Sequence, residues 1–325
     1  MRPTSQHAFS GISTLAQLAL LLHVSPDEMN YLLSHLKKEY RRRTKKKPDG
    51  SKRTLYIPSD NLKLLQKKIN EHILAKVPLL PCVQGGVPRK SITQNAAFHR
   101  GQQVVFTMDL EHCFPSIGPD RVRAVFEALG FRGEAVSILT KLTTWDRELP
   151  QGVPTSTALA NIALVRVDGR ITGLQEHHDF EYTRWVDDLV FSGSLRILKL
   201  RRLFQRIIET EGFRVKVQKT KTMFAHQSQV VTNLVVNKKV NLSRKNRAAI
   251  KKEVMQAASQ HHFSAEVAGK VYWYRSVNDR AGGRLLKRAK EKMAGGPLKP
   301  AVALSGDIQI SSILSSRPEQ ITAGR

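Results

Sequence analysis

The sequence predicts an α+β fold in which a small antiparallel sheet is flanked by helices and followed by a separate helical segment. Three observations carry this expectation. A short apolar run, Val104-Val105-Phe106-Thr107-Met108, reads as a buried strand that ends at Asp109. Strand-like runs at 180–185 and 189–192 flank Val186-Asp187-Asp188, the pattern of a hairpin with an acid pair at its turn. From Ser243 onward the pattern becomes helical and strongly basic.

The chain has 325 residues, of which 41% are hydrophobic, enough for one large core or two to three packed subdomains. Its two cysteines, Cys82 and Cys113, make neither a disulfide framework nor a four-ligand zinc site, so a reducing cytoplasm is the expected location. The longest apolar stretch, 15–24, is too short to span a bilayer and is followed by a helix-start signal instead of a small-residue cleavage site. Charge is more telling: 53 basic against 27 acidic residues leave a formal net of +26, which calls for a polyanionic partner. Eight Lys/Arg lie between Lys37 and Lys47, nine between Arg196 and Lys221, and seven between Lys238 and Lys252. One such run is more often a solvated helix face than a binding site. Several with few compensating acids point to phosphate, and no apolar face opposes them as a membrane-surface helix would require.

Ser13 and Thr14 precede an apolar helical stretch, and Ser25-Pro26-Asp27-Glu28 opens a second helix to about Lys38 with an N-cap, a first-turn proline and two dipole-matched acids. Residues 1–44 therefore read as a helical extension, either a helix-turn-helix reader or a packing element of the main domain. Lys47-Pro48-Asp49-Gly50-Ser51-Lys52-Arg53 is a turn leading into a strand at 54–58, which gives a hairpin with a basic tip. The spacing of Leu62, Leu65, Ile69 and Ile73 predicts a helix over 61–77, and further helices are expected over 119–129, 157–171 and 195–211. Strands are expected around 214–217 and 230–237. A helical piece should run from 243 to about 294, and 295–325, rich in Pro, Gly and Ser, reads as a flexible tail.

Asp187 and Asp188 side by side would repel each other without a cation between them. An Asp pair in a turn is common as plain structure, because turns favour Asp. Asp109 changes the weighing, since it too ends an apolar strand and could meet the pair at one sheet edge. Magnesium takes a few carboxylate oxygens together with phosphate and water, and a two-ion site stabilises both the attacking and the leaving oxygen of a phosphoryl transfer.

These residues resemble the ordered motifs of reverse transcriptases. The match comprises Phe106-Thr107-Met108-Asp109-Leu110-Glu111 with Phe114-Pro115-Ser116, then Leu149-Pro150-Gln151-Gly152, Leu159-Ala160-Asn161 and Trp185-Val186-Asp187-Asp188, over about 45–237 and more weakly to 294. Asn95-Ala96-Ala97-Phe98-His99 is similar to the Asn-Ala-x-x-His element of bacterial retron enzymes. Val231-Thr232-Asn233-Leu234-Val235-Val236-Asn237 is similar to their Val-Thr-Gly element, with Asn233 where glycine is usual. Asn tolerates a left-handed backbone better than other non-glycine residues. Two further departures are Trp185-Val186 in place of Tyr-Ala and Thr157 where proline commonly follows the serine.

The resemblance implies a right-hand polymerase: fingers and palm over 45–237 and a basic helical thumb over 238–294. It implies that Asp109, Asp187 and Asp188 hold two Mg2+ ions, with Mn2+ as a substitute. Lys52 and Arg53 would grip the triphosphate, Phe114 would block a ribose 2′-hydroxyl, Gln151 and Gly152 would line the nucleotide pocket, and Lys219 would attend the leaving pyrophosphate. Asn95 and His99 would support RNA contact or local folding. Trp273 and Arg275, beside Tyr272 and Tyr274, would contact RNA, although such an aromatic group also serves as core. Without the resemblance, Phe114 reads equally as core, His99 as a structural histidine, and Arg53 and Lys219 as surface charges.

The implied activity is the copying of a cognate structured non-coding RNA into branched multicopy single-stranded DNA from deoxynucleoside triphosphates, self-primed from a guanosine 2′-hydroxyl, in antiphage defence with an effector protein. The length leaves little room for a ribonuclease H domain, so RNA removal would fall to a host ribonuclease H. The alternatives are another bacterial reverse transcriptase, of group II intron, diversity-generating or unclassified defence type, and a non-catalytic RNA-binding scaffold.

Overall fold

Thr14 opens the first helix with a reciprocal capping box: its hydroxyl accepts from the Gln17 backbone while the Gln17 side chain reaches back to the cap. The computed structural model describes residues 9–46, 50 and 52–294. They fall into two compact units that divide between Thr232 and Asn233.

In the first unit, α1 (Leu15–Leu22) and α2 (Pro26–Ser34) bury Leu18, Leu22, Met29 and Leu32, and Ser25 caps α2 as its sequence predicts. Leu15 donates its N–H to Glu134, and Phe9 stacks on Phe131, so these helices are packed into the main core. The extension expected over 1–44 is not helical to its end. Strand β1 (Tyr40–Lys46) pairs antiparallel with β2 (Lys52–Pro58), from Tyr40 opposite Pro58 to Lys46 opposite Lys52. The Tyr40 ring, wedged against Trp145 and hydrogen-bonded by Gln66, anchors the strand, while Arg41 to Lys46 stay exposed.

Helix α3 (Asp60–His72), capped by Ser59, turns Leu62, Leu65 and Ile69 inward, and α4 (Ile92–Ala97) starts at a Ser91–Gln94 capping box. Then come β3 (Val104–Asp109), α5 (Pro119–Ala128) and α6 (Gly133–Thr143). Next are α7 (Ser156–Ala163), α8 (Val165–Gly173), β4 (Phe180–Trp185) and β5 (Asp188–Gly193). Helix α9 (Arg201–Thr210), β6 (Lys221–Phe224) and the two-residue β7 (Val230–Val231) complete the unit.

The helix expected over 157–171 is two helices that join at Leu164, and the one expected over 195–211 starts as a 3-10 turn. Around 214–217 there is only a bridge from Val215 to Leu110, and the strand forms four residues later as β6. Helix α6 carries no sequence expectation because buried side chains surround it, which erases the amphipathic stripe.

The central sheet has the order β4-β5-β3-β6, all neighbours antiparallel. One face is an aromatic stack: Phe106 on Phe191 at 4.8 Å, and Phe191 on Phe204 of α9 at 4.4 Å. The opposite face presents Thr183 and Ser192 to His99, just beyond α4.

The second unit has a short antiparallel pair, β8 (Leu234–Val235) with β9 (Asn241–Leu242), and three helices, α10 (Arg244–Ser259), α11 (Ala265–Val277) and α12 (Asp279–Ala294). A Cβ on Gly282 would lie 2.5 Å from the Arg275 Cα, so only glycine lets α12 cross α11 this closely. The division falls five residues before the expected thumb boundary. Residues 295–325, expected as a tail, lie outside the described residues.

Candidate active site

Register brings the acids together. In the β3–β5 ladder Asp109 sits directly opposite Asp188, and Asp187 occupies the two-residue turn just before Asp188. The Leu110 N–H donates to the Asp187 carbonyl at 3.0 Å, and the Lys216 N–H donates to the Asp109 carbonyl at 2.7 Å. Three carboxyls from two distant stretches of chain therefore share one end of the sheet.

Their electrostatics reflect the crowding. Burial pushes the Asp187 carboxyl above the usual carboxylate range, and Asp109 adds to this, while Arg53 and Lys219 oppose it. Asp188, whose residue still reaches solvent at the sheet edge, is raised to about 7 by the protein packed around it and by Asp187 and Asp109; it also hydrogen-bonds Asp109. Full ionisation of the trio is therefore costly unless a cation offsets the crowded charge. An all-oxygen donor set of this kind fits Mg2+ or Mn2+. Among the described residues no three or more His, Cys, Asp or Glu are gathered into a group that could by itself hold a metal ion.

Two cations face the trio. Lys219 brings Nζ to 3.4 Å from Asp109 Oδ2, and Arg53, near the tip of the β1–β2 hairpin, acts on Asp187 through its charge. Lys52 is exposed beside Arg53. Gln151 accepts the Tyr56 N–H at 2.9 Å, and Gly152 follows at φ +97 with its Cβ direction blocked by the Tyr56 carbonyl, so this pair seats directly on β2. Phe114 is half-buried against the core.

His99 corrects one expectation. It is fully buried, with Nδ1 2.7 Å from the Ser192 hydroxyl and Nε2 2.7 Å from the Thr183 hydroxyl, so it clamps the β4–β5 hairpin and has no ring nitrogen left for RNA. Burial drives its pKa down to about 3, which keeps the ring neutral. Asn95 is buried as well and reaches Thr232 at 3.5 Å. Both side chains are thus enclosed within the first unit. In the second unit Trp273 is half-buried, Tyr274 is core, and Arg275 is exposed and paired with Asp279 at 2.7 Å.

Sequence reasoning missed Arg184 and Asp168, both fully buried and paired behind the acid turn. Charged residues in strand and helix patterns read as surface. The one available signal was Asn161 of the Leu-Ala-Asn motif, whose side chain accepts from Arg184.

A basic chain with a carboxylate trio on an antiparallel sheet edge and cations at hand defines a nucleotidyl-transfer enzyme, and residues 45–259 match the family described as reverse transcriptase (RNA-dependent DNA polymerase). The retron Mx65 reverse transcriptase of Myxococcus xanthus is 33% identical over 269 residues, 76% of this chain and 63% of that protein. The retron Ec86 reverse transcriptase of Escherichia coli is 30% identical over 299 residues, 89% of this chain and 93% of that protein. The retron Mx162 enzyme of M. xanthus is 33% identical over 221 residues and is matched over 46% of its length. The chain thus spans nearly all of one relative and less than two thirds of the other two. It belongs to the retron reverse transcriptase family.

Proposed function

We propose that this protein is the RNA-directed DNA polymerase of a retron, which copies part of a cognate structured RNA into multicopy single-stranded DNA joined to that RNA through a guanosine 2′-hydroxyl. The observation that carries the reading is Asp109 opposite Asp188 with Asp187 in the adjoining turn. The retron relatives support the choice of template. In this reading the β1–β2 hairpin belongs to the fingers, the four-stranded sheet to the palm and the helices of the second unit to the thumb.

Asp109, Asp187 and Asp188 would hold divalent metal, Mg2+ or in its place Mn2+. Bound there, the metal supplies charge neutralisation for the attacking and leaving oxygens. The chain's own groups do the rest. Arg53 and Lys52 bind triphosphate oxygens, Arg53 in the forked geometry a guanidinium allows. Phe114 closes the space beside the sugar where a 2′-hydroxyl would sit, and Gln151 and Gly152 form the pocket wall on β2. Lys219, already beside Asp109, offers a proton or a positive charge to the departing pyrophosphate. The 3′-hydroxyl of the growing strand, or at initiation the guanosine 2′-hydroxyl, is the nucleophile. Trp273 and Arg275 would face the template–primer duplex.

Deoxynucleoside triphosphates and the non-coding RNA are then the substrates, a host ribonuclease H removes copied RNA, and an effector protein is the partner in antiphage defence within the cytoplasm. Co-expression with the neighbouring transcript tests the reading. Deproteinised DNA should carry an RNA branch that a debranching enzyme releases, and Asp187→Asn should yield none. Extension of unrelated primed RNA without any branched product would favour another type of bacterial reverse transcriptase.

A further inference from the structure

The turn that carries Asp187 is not held by its own sequence. Val186 sits at φ +59, a left-handed conformation that a β-branched residue avoids, and a hairpin turn with positive φ at this position ordinarily uses glycine. Something around the turn must hold it.

Arg184, two residues before Val186, is fully buried, and each of its five N–H groups has an acceptor. Nε and Nη2 fork onto Asp168 at 2.9 and 2.6 Å. Nη1 donates to the Asn161 side chain at 2.8 Å and to the Val186 carbonyl at 2.9 Å, and Nη2 also reaches the Asn161 carbonyl at 3.4 Å. Tyr182 donates its hydroxyl to Asp168 at 2.8 Å, and Asn161 donates to the Gly85 carbonyl at 2.9 Å. Gly85 in turn lies so close to the turn that a Cβ there would fall 2.5 Å from the Val186 nitrogen.

The consequence for Asp187 is geometric. The peptide plane before its Cα is fixed where Arg184 holds the Val186 carbonyl, and the plane after it is fixed where Leu110 donates to the Asp187 carbonyl. With both planes pinned, the direction in which the carboxylate leaves the backbone is set.

We propose that Arg184, seated by Asp168 and Asn161, is the positioning residue that orients the Asp187 carboxylate toward Asp109 and Asp188, where divalent metal would be held, and that the strained turn is kept for this purpose. The inference rests on the polymerase reading above and extends it to residues outside the carboxylate trio. A purely structural role is the competing account, and buried ion pairs distinguish themselves poorly on stability alone: removing one partner is costly, whereas replacing both by neutral groups is often tolerated.

The test therefore uses Arg184→Gln combined with Asp168→Asn, a neutral pair that can still hydrogen-bond to each other but cannot also span to Val186, alongside Arg184→Lys, which keeps Asp168 paired but lacks the fork. Thermal melting establishes that each variant is folded, and single-nucleotide incorporation on primed RNA gives kcat and the deoxynucleotide KM. Mn2+ binding, followed by electron paramagnetic resonance in a complex with a dideoxy-terminated primer and the next deoxynucleotide, gives a readout independent of turnover. The expected result is a cooperative melt, a kcat lower by about 100-fold, as for a catalytic group displaced by about an ångström, and a shift of half-saturation to higher Mn2+. Folded variants with parental kcat and Mn2+ binding overturn the proposal, as does a loss of rate no larger than the loss of folded protein. If the parent itself incorporates nothing, it is the polymerase reading that fails.

Discussion

Lys219 directs its ammonium at Asp109, with Nζ 3.4 Å from Oδ2, and the same charge also works against proton uptake at Asp187 and Asp188. One half-exposed cation thus serves three carboxylates drawn from β3 and the β4–β5 hairpin. Lys219→Gln is expected to slow maximal incorporation by about 100-fold, the usual loss when one charge-stabilising donor leaves a reaction centre. Template–primer affinity should change little. Rapid-quench kinetics beside a binding titration checks both, and an unaltered rate would reduce Lys219 to a surface charge.

Without cations the carboxyl trio works against the fold. Asp188→Asn removes one member of the repulsive set, so the metal-free variant should melt higher than the parent, by about 2–4 °C if the relief is about 1 kcal/mol. Added Mg2+ should raise the parent's melting temperature through preferential binding to the native state and scarcely move the variant's. Scanning fluorimetry across a Mg2+ series reads this, with loss of incorporation as the functional counterpart.

His99 gives the fold a pH dependence. Its pKa is held near 3 in the native protein, against 6.5 for the free side chain, because the buried ring is neutral between Thr183 and Ser192. Between these values the unfolded chain binds a proton that the native state refuses, so stability rises with pH through the window and levels off above about 6.5. This one group should cost about 1.4 kcal/mol for each pH unit below 6.5. Urea denaturation at pH 7.5, 6 and 5 should show a steep decline in the parent and a shallower one in His99→Gln.

Gly85 and Gly283 make a matched pair of alanine substitutions. At Gly85 the new Cβ would lie 2.5 Å from the Val186 nitrogen and 2.8 Å from the Trp185 Cα, backbone atoms that cannot step aside without moving Asp187. Incorporation should fall by about 100-fold. At Gly283, inside α12, nothing lies within 4 Å. There alanine should stabilise by about 0.5–1 kcal/mol through helix propensity and leave incorporation at the parental rate.

The parts legible from sequence were those in which local pattern and tertiary role agree. Thr14 and Ser25 announce helix starts, Asp109 ends an apolar strand, Asp187-Asp188 mark a hairpin turn, and Asn233 does adopt the left-handed backbone, at φ 66, that its place in a glycine position requires. What escaped was decided by distant neighbours. Tyr40 begins a strand because Trp145 and Gln66 hold its ring, although the basic run after it reads as a solvated face. Arg184 and Asp168 look like surface charges until the fold places them against each other in the interior. His99 carries a motif, but only the sheet's coordinates show that its partners are two hydroxyls.

The family match begins at residue 45, yet the interior does not. Leu18, Leu22, Met29 and Leu32 are almost wholly shielded, and Phe9 stacks on Phe131 well inside the matched region. A polypeptide trimmed to residues 45–259 would present the surface these side chains cover as a raw apolar face, prone to self-association. The hydrophobic interior of this polymerase therefore extends further toward the amino terminus than the segment matched by the family.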